Sequence, residues 1–177
     1  MARSTASQFT VFETALGFCA IAWRGTRVCR FQLPAANPAT AAARLRGEDP
    51  GAEPAPPPAA MVRVIERVRH HLAGRLRDFS SVPLDLDGLP SFTRRIYEAA
   101  REVPAGQTVT YGELAAHCGS PGGARAVGQA MAHNPVGLII PCHRVLAAGG
   151  RLGGFSGPGG LDLKVRLLAL EGVSLDD

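Results

Sequence analysis

The chain has 177 residues, 46% of them hydrophobic and 19% charged. That balance fits one folded domain or two small ones with a real core and excludes a disordered chain. No apolar run approaches the roughly 20 residues that a membrane helix needs, so no membrane association is expected. The formal charge of +4 and pI of about 9.2 permit nucleic-acid binding without requiring it. Arginine supplies nearly all of the positive charge, and Lys164 is the only lysine.

The opening stretch "MARSTASQFTVFETALG" holds no continuous apolar segment with a cleavage site, so no signal peptide is expected. Cysteines stand at 19, 29, 118 and 142 with no C-x-x-C pair. Reduced thiols in a cytoplasmic protein are the expectation. Cys19, Cys29, His70 and His71 are suitable zinc ligands by type, but their spacing matches no compact zinc module. The two cysteines lie in strand-like runs and read as core thiols, so no metal is expected.

In chain order, "FTVFETALG", "FCAIAW" and "RVCRFQL" are short, rich in Val, Phe, Ile and Trp, and separated by Gly-containing breaks. They read as an antiparallel meander. The Ala- and Pro-rich stretch that follows reads as a short helix and then a proline-rich loop over 50–58. "MVRVIERVRHHLAGRLRDF" reads as one helix, with Met61, Ile65, Val68, Leu72 and Leu76 on its apolar stripe and the arginines, His70 and His71 on a solvated face. "SSVPLDLDGLP" reads as an extended crossing segment. A boundary near Gly88 divides the chain into 1–88 and 89–177.

The second half reads differently. Ser91 is expected to cap a helix with Phe92, Ile96 and Ala99 on one face. Thr110 and Glu113 form a T-x-x-E capping box, so a helix starts at Tyr111 and runs to about Gly119. "SPGG" is a tight turn, and "ARAVGQAMAHNP" is a second short helix stopped by Asn134 and Pro135. Such a pair suggests a helix-turn-helix. Its second helix carries Ala124, Ala126, Gly128 and Ala130, with one long cation, Arg125, near its start. Small residues let a helix lie close to a nucleic-acid groove, and a lone arginine can reach in.

"VGLII" then reads as a short buried strand ending at Pro141, from which Cys142 and His143 emerge. A thiol with a pKa of ~8.5 is only slightly ionised at neutral pH and needs a base. A histidine base needs an acceptor on its other ring nitrogen. Glu171, at the end of the helix "LDLKVRLLALEG", can supply one if that helix packs back. The Gly-rich segment "AAGGRLGGFSGPGG" beside this pair reads as a pocket rim. On the residues alone, Cys142 as an inert core thiol and His143 as a surface residue remain open.

"IPCHRV", "TVTYGELA", "ARAVGQAMAHNP" and "ALEG", in this order, resemble the O6-alkylguanine-DNA alkyltransferase family. The resemblance is strong from Ser91 to Gly172 and looser over 9–88. It implies an α+β fold: an N-terminal antiparallel sheet with a helix, RNase H-like, and a mostly helical, winged-helix-like C-terminal domain with a helix-turn-helix. It implies stoichiometric transfer of an alkyl group from guanine O6 in double-stranded DNA, with O4-alkylthymine a further candidate, to Cys142. His143 would deprotonate the thiol through a water, Glu171 would orient His143, and Asn134 would brace the second helix against the active-site strand. Arg125 would enter the duplex and fill the flipped nucleotide's space. Tyr111 would press on the phosphate and donate to the base, with Thr93 and Ser120 on the DNA backbone. Backbone groups at Cys142, Val145 and Ser156 would hold the guanine edge, with Phe155 as a ring wall where many members carry tyrosine. The rim "SGPGGL" is two residues longer than the "SGGL" form. No cofactor is implied, and a monomer is expected. Three other readings stay open: a sensor that flags lesions without repairing them, a cysteine hydrolase built on Cys142, His143 and Glu171, and a DNA-binding regulator.

Overall fold

The structure, a computed structural model, describes residues 6–153 and 160–175. It has an α+β architecture in two compact units. One comprises the chain up to Arg77 with Ser81–Asp85, and the other Asp78–Ser80 with Leu86 onward.

The first unit is built on the meander. β1 (Gln8–Thr14), β2 (Gly17–Arg24) and β3 (Arg27–Ala35) pair antiparallel in succession. β2 is central and has few polar groups, as burial on both faces demands. Ala20 and Ala22 pack with Ala41 and Leu45 of α1 (Pro38–Glu48). Cys19, Ile21 and Trp23 alternate to the opposite face. Asn37 caps α1, its side chain accepting from the Thr40 amide at 2.8 Å.

Two features of this unit differ from the sequence reading. The proline-rich loop holds a fourth strand, β4 (Glu53–Pro54), parallel to β1. The Glu53 and Ala55 amides donate to Ser7 and Phe9 carbonyls, and Pro54, with no amide proton, is tolerated because β4 is at the sheet edge. α2 (Ala59–Leu72) stops well short of Phe79. Gly74 takes φ +90°, and the Arg75 amide turns back to the His70 carbonyl, so Leu76 leaves the apolar stripe and is exposed. Buried His71 completes this stop by accepting from the Arg77 amide at 3.0 Å. The segment read as extended does run beside β3, with the Val28 amide donating to Pro83 and the Asp85 amide to Val28.

The second unit packs α3 (Ser91–Arg101), α4 (Tyr111–His117), α5 (Ala124–Ala132) and α6 (Gly160–Leu170) with a small parallel ladder of β5 (Val109–Thr110) and β6 (Val145–Leu146). Ser91 is the first residue of α3 rather than its cap. Pro90 takes the capping position, and no side chain caps there. The buried face of α3 is Ile96, Tyr97 and Ala100, with Phe92 and Ala99 half-buried at its margin. Tyr97, passed over in the sequence, donates to the Ala130 carbonyl at 2.7 Å and so satisfies one of the open carbonyls at the end of α5.

The capping box forms as read: Thr110 Oγ1 accepts from the Glu113 amide, and the Glu113 carboxylate accepts from the Thr110 amide. The turn into α5 needs its glycines. Gly122 has φ +86°, and a Cβ on Gly123 would fall 2.7 Å from Ser120 Oγ. "VGLII" is buried but is not a strand. It has isolated bridge residues and no strand: Gly137 bridges to Ile140, and Leu138 sits at φ +70°, which folds the run into a turn.

Replacing Thr110 with Ala removes a cap that a seven-residue helix has little means to replace. Urea unfolding should show a loss of about 1 kcal/mol with the m-value unchanged.

Candidate active site

Because "VGLII" is a turn, Cys142 is not at the mouth of a strand. It opens a single 3-10 turn, Cys142–Arg144, that leads into β6. Asn134 stands in for the missing ladder. Its amide donates to the Ile140 carbonyl at 2.9 Å, and its side-chain oxygen accepts from the Val136 amide at 2.9 Å. One side chain thus satisfies both ends of the turn that carries the cysteine and fixes it to the end of α5.

The 3-10 turn buries three consecutive functional side chains. Cys142 is 8% exposed, His143 0% and Arg144 6%. The chain end of α6 brings in Glu171, 5% exposed. His143 Nε2 lies 2.8 Å from Glu171 Oε1. Arg144 donates from Nη2 to Oε1 at 2.7 Å, from Nε to Oε2 at 2.9 Å, and from Nη1 to the Val103 carbonyl at 2.7 Å. A carboxylate gripped by a guanidinium only accepts hydrogen bonds, so His143 Nε2 carries a proton, and in the neutral imidazole Nδ1 is the nitrogen with the lone pair. Neither Arg144 nor its bond to Glu171 was read from the sequence. The signal available was its place directly after His143, in a segment with buried residues on both sides.

Lys164 was also missed as a site residue. Fully buried on the inner face of α6, it donates to the Val145 carbonyl at 2.8 Å and lies 5.9 Å from the Tyr111 ring centroid. Burial pushes the Cys142 thiol up, and the Asn134 side chain and the Lys164 charge pull in the opposite direction. Burial also lowers Lys164 and raises half-buried Tyr111, with the Cys142 charge adding to the latter. The thiol is therefore protonated at rest at neutral pH, and its activation needs a proton acceptor.

The other expected residues are placed as follows. Val145 is buried at the start of β6. Tyr111 opens α4, and a Cβ on Gly153 would fall 2.6 Å from its hydroxyl, so this glycine is what lets the backbone pass the ring. Arg125 is exposed at the second position of α5, with Ala126 exposed beside it and Ala124, Gly128 and Ala130 half-buried. Ser120, half-buried, lies in the turn before α5, and Thr93, half-buried, in the first turn of α3. Phe155, Ser156 and the longer rim lie outside the described residues. Among the described residues, no three His, Cys, Asp or Glu side chains converge as a metal site would require.

Residues 91–173, which hold all of this cluster, match the family of the 6-O-methylguanine DNA methyltransferase DNA binding domain. The whole chain is similar to a crystal structure of Mycobacterium tuberculosis OGT in complex with DNA. The TM-score is 0.75 at 33% identity, covering 93% of each chain. The chain belongs to the methylated-DNA–protein-cysteine methyltransferase family. A methyltransferase of that name from Mycolicibacterium paratuberculosis is 46% identical over 114 residues, 64% of this chain and 67% of its own length. A DNA base-flipping protein of Thermus thermophilus is 47% identical over 116 residues, 65% of this chain and 76% of its own. Within this methyltransferase family, the buried Cys142 next to a histidine–glutamate pair is the feature from which chemistry can be argued.

Asn134→Ala should leave the Val136 amide without its acceptor and the Ile140 carbonyl with the Cys142 amide as its remaining donor. Chemical denaturation should record a loss of about 2 kcal/mol, and the reaction of Cys142 with a thiol reagent should lose its single-exponential time course as the turn loosens.

Proposed function

We propose that this protein repairs DNA by moving an alkyl group from O6 of guanine to Cys142 Sγ, once per molecule. The observation that carries this reading is the buried thiol beside a histidine whose far nitrogen is held by Glu171, inside a matched DNA-binding domain. The thiol proton passes through a water to His143 Nδ1. The sulfur attacks the alkyl carbon, the carbon–O6 bond breaks, and its electron pair stays on guanine, which takes up a proton. The product is a thioether. Unlike an acyl-enzyme it has no easy hydrolytic exit, which makes the protein a single-turnover transferase.

A stacked base keeps O6 away from a buried thiol, so the nucleotide must leave the duplex at a cost of a few kcal/mol. In this reading α5 docks in the minor groove, and Arg125 fills the space left by the flipped nucleotide. Tyr111 presses on the phosphate and donates to the base. Thr93 and Ser120 contact the DNA backbone, backbone groups at Cys142, Val145 and Ser156 hold the guanine edge, and Phe155 walls the pocket. O4-alkylthymine is a second candidate substrate. The first unit is read as RNase H-like and the second as winged-helix-like, in a monomer of the cytoplasm. No helix among the described residues is long and apolar enough to cross a membrane.

A lesion sensor is the second reading, favoured by the likeness to a base-flipping protein. Cys142 argues against it, because a sensor needs no nucleophile. Intact-protein mass after mixing with excess duplex containing O6-methylguanine separates the two. We expect one added methyl, mapped to Cys142, and repair that stops at one lesion per protein. Cys142→Ala should take up no methyl and still bind the duplex. Tight lesion binding by the unaltered protein with no mass change would establish the sensor, and repeated turnover a hydrolase.

Arg125→Ala should slow repair of duplex DNA by about 10²-fold, its share of flipping being a few kcal/mol. Reaction with free O6-methylguanine base should change little. Equal losses on both substrates would remove Arg125 from base opening.

A further inference from the structure

We propose that Arg144 sets the pH at which Cys142 becomes reactive, by compensating the charge of Glu171 beside His143. The inference rests on the reading of Cys142 as the alkyl acceptor. Arg144 takes both oxygens of Glu171, sharing Oε1 with His143 Nε2, and its third bond, to the Val103 carbonyl, fixes the guanidinium from the opposite side. The carboxylate therefore cannot rotate away from His143. A guanidinium is permanently charged, so the Arg144–Glu171 pair is neutral as a unit. Without that cation, His143 would face an uncompensated buried carboxylate, which favours the imidazolium. An imidazolium cannot accept the thiol proton. Removing a cation raises the proton affinity of every group nearby, thiol and imidazole alike, so the direction is fixed: the onset of reactivity moves to higher pH.

The other charged or titratable groups near the cluster leave this sign unchanged. Tyr97 on α3 is held up by burial at about 12, and Tyr111 on α4 is raised by burial, so both phenols stay neutral. Lys164 on α6 is bonded to the Val145 carbonyl and is common to every variant compared. Next to Val103, Arg101 donates to the Phe79 carbonyl and exposed Glu102 lies 3.8 Å from His117. Arg144 touches neither the thiol nor the base in this account. It is a positioning residue, and a pH profile distinguishes its charge from simple support of the fold.

The test measures single-turnover methyl transfer from an O6-methylguanine duplex, by protein mass, from about pH 5 to about pH 9. The proteins are the unaltered chain, Arg144→Lys and Arg144→Met. In Arg144→Met the midpoint of the rising limb should climb by about one pH unit or more, giving about a tenfold loss below the midpoint that recovers at high pH. Arg144→Lys keeps the charge without the fork and should hold the midpoint near that of the unaltered chain. A loss of equal size at every pH, with an unmoved midpoint, would overturn the proposal, as would failure of Arg144→Lys to restore the midpoint. Should Arg144→Met fail to fold, the comparison is made between Glu171→Gln and the double variant Glu171→Gln/Arg144→Met. An upward shift in the double variant supports the role, and identical midpoints overturn it. An unaltered chain that gains no methyl at any pH would instead defeat the alkyl-acceptor reading itself.

Discussion

The second unit depends on one buried carboxylate. Glu171 lies past the end of α6, yet its side chain is held by the 3-10 turn through His143 and Arg144, and Arg144 passes the tie on to the Val103 carbonyl. A buried carboxylate is tolerated only when paired and hydrogen-bonded, and removing one partner costs about 3–5 kcal/mol. The chain has met that requirement by bringing three separate segments to one point. The loop after Val103 shows how tightly. Gly106 sits at φ +88°, and a Cβ there would come within 3.2 Å of the Glu171 carbonyl. The place of His143 beside the thiol is thus a consequence of where the carboxylate must be neutralised.

The same burial governs the thiol. Taken out of water, Cys142 holds its proton more firmly, and among the described residues Asn134, Lys164 and the local amides oppose that. Among the described residues around a neutral thiol, the buried charges are Arg144 and Lys164 against Glu171, an excess of one positive charge. A thiolate would cancel that excess. Ionisation is therefore disfavoured by desolvation and favoured by the charge balance, and the outcome turns on whether a proton acceptor is in place. Such a site stays quiet until its chemistry is called for, which suits a nucleophile that is consumed on use.

What could be read from the sequence follows from how local its cause is. The meander, the capping box at Thr110 and Glu113, and the short helix from Ala124 rest on contacts within a few residues, and the structure has them. Where a distant contact decides, the reading strayed. "VGLII" has a strand's composition, but the Asn134 side chain takes the Val136 amide and the Ile140 carbonyl, the Ile140 amide turns back to Val136, and Leu138 turns the backbone, so the run is a turn and not a strand. The stripe on α2 continued in the sequence to Leu76, past a stop fixed by Gly74 and His71. β5 and β6 are two residues each and have no periodicity to detect. Cys142, His143 and Glu171 were singled out by chemistry and resemblance. Arg144 and Lys164 were not, because their partners lie 27 and 19 residues away. A lone lysine in the sequence gives no hint that its helix turns it fully inward.

The hydrogen bonding of the described residues also bears on the contrast between a one-shot transferase and a hydrolase using the same three side chains. A hydrolase must admit water to a covalent intermediate and hold a developing oxyanion with donors aimed at it. Here the Arg144 guanidinium is already engaged by Glu171 and Val103. The Lys164 ammonium is bonded to a main-chain carbonyl. An SN2-like transfer of an alkyl carbon makes no such demand, because the charge develops on the departing base and not on an oxygen attached to the attacked carbon. What it needs is an ionisable thiol, a proton acceptor one water away, and a site that keeps other electrophiles out. Burial of Cys142 provides the last of these, and the pairing of Glu171 keeps the acceptor ready. Among the described residues, the engaged Arg144 and Lys164 donors fit a reaction in which the protein gives up its cysteine and no oxyanion has to be held.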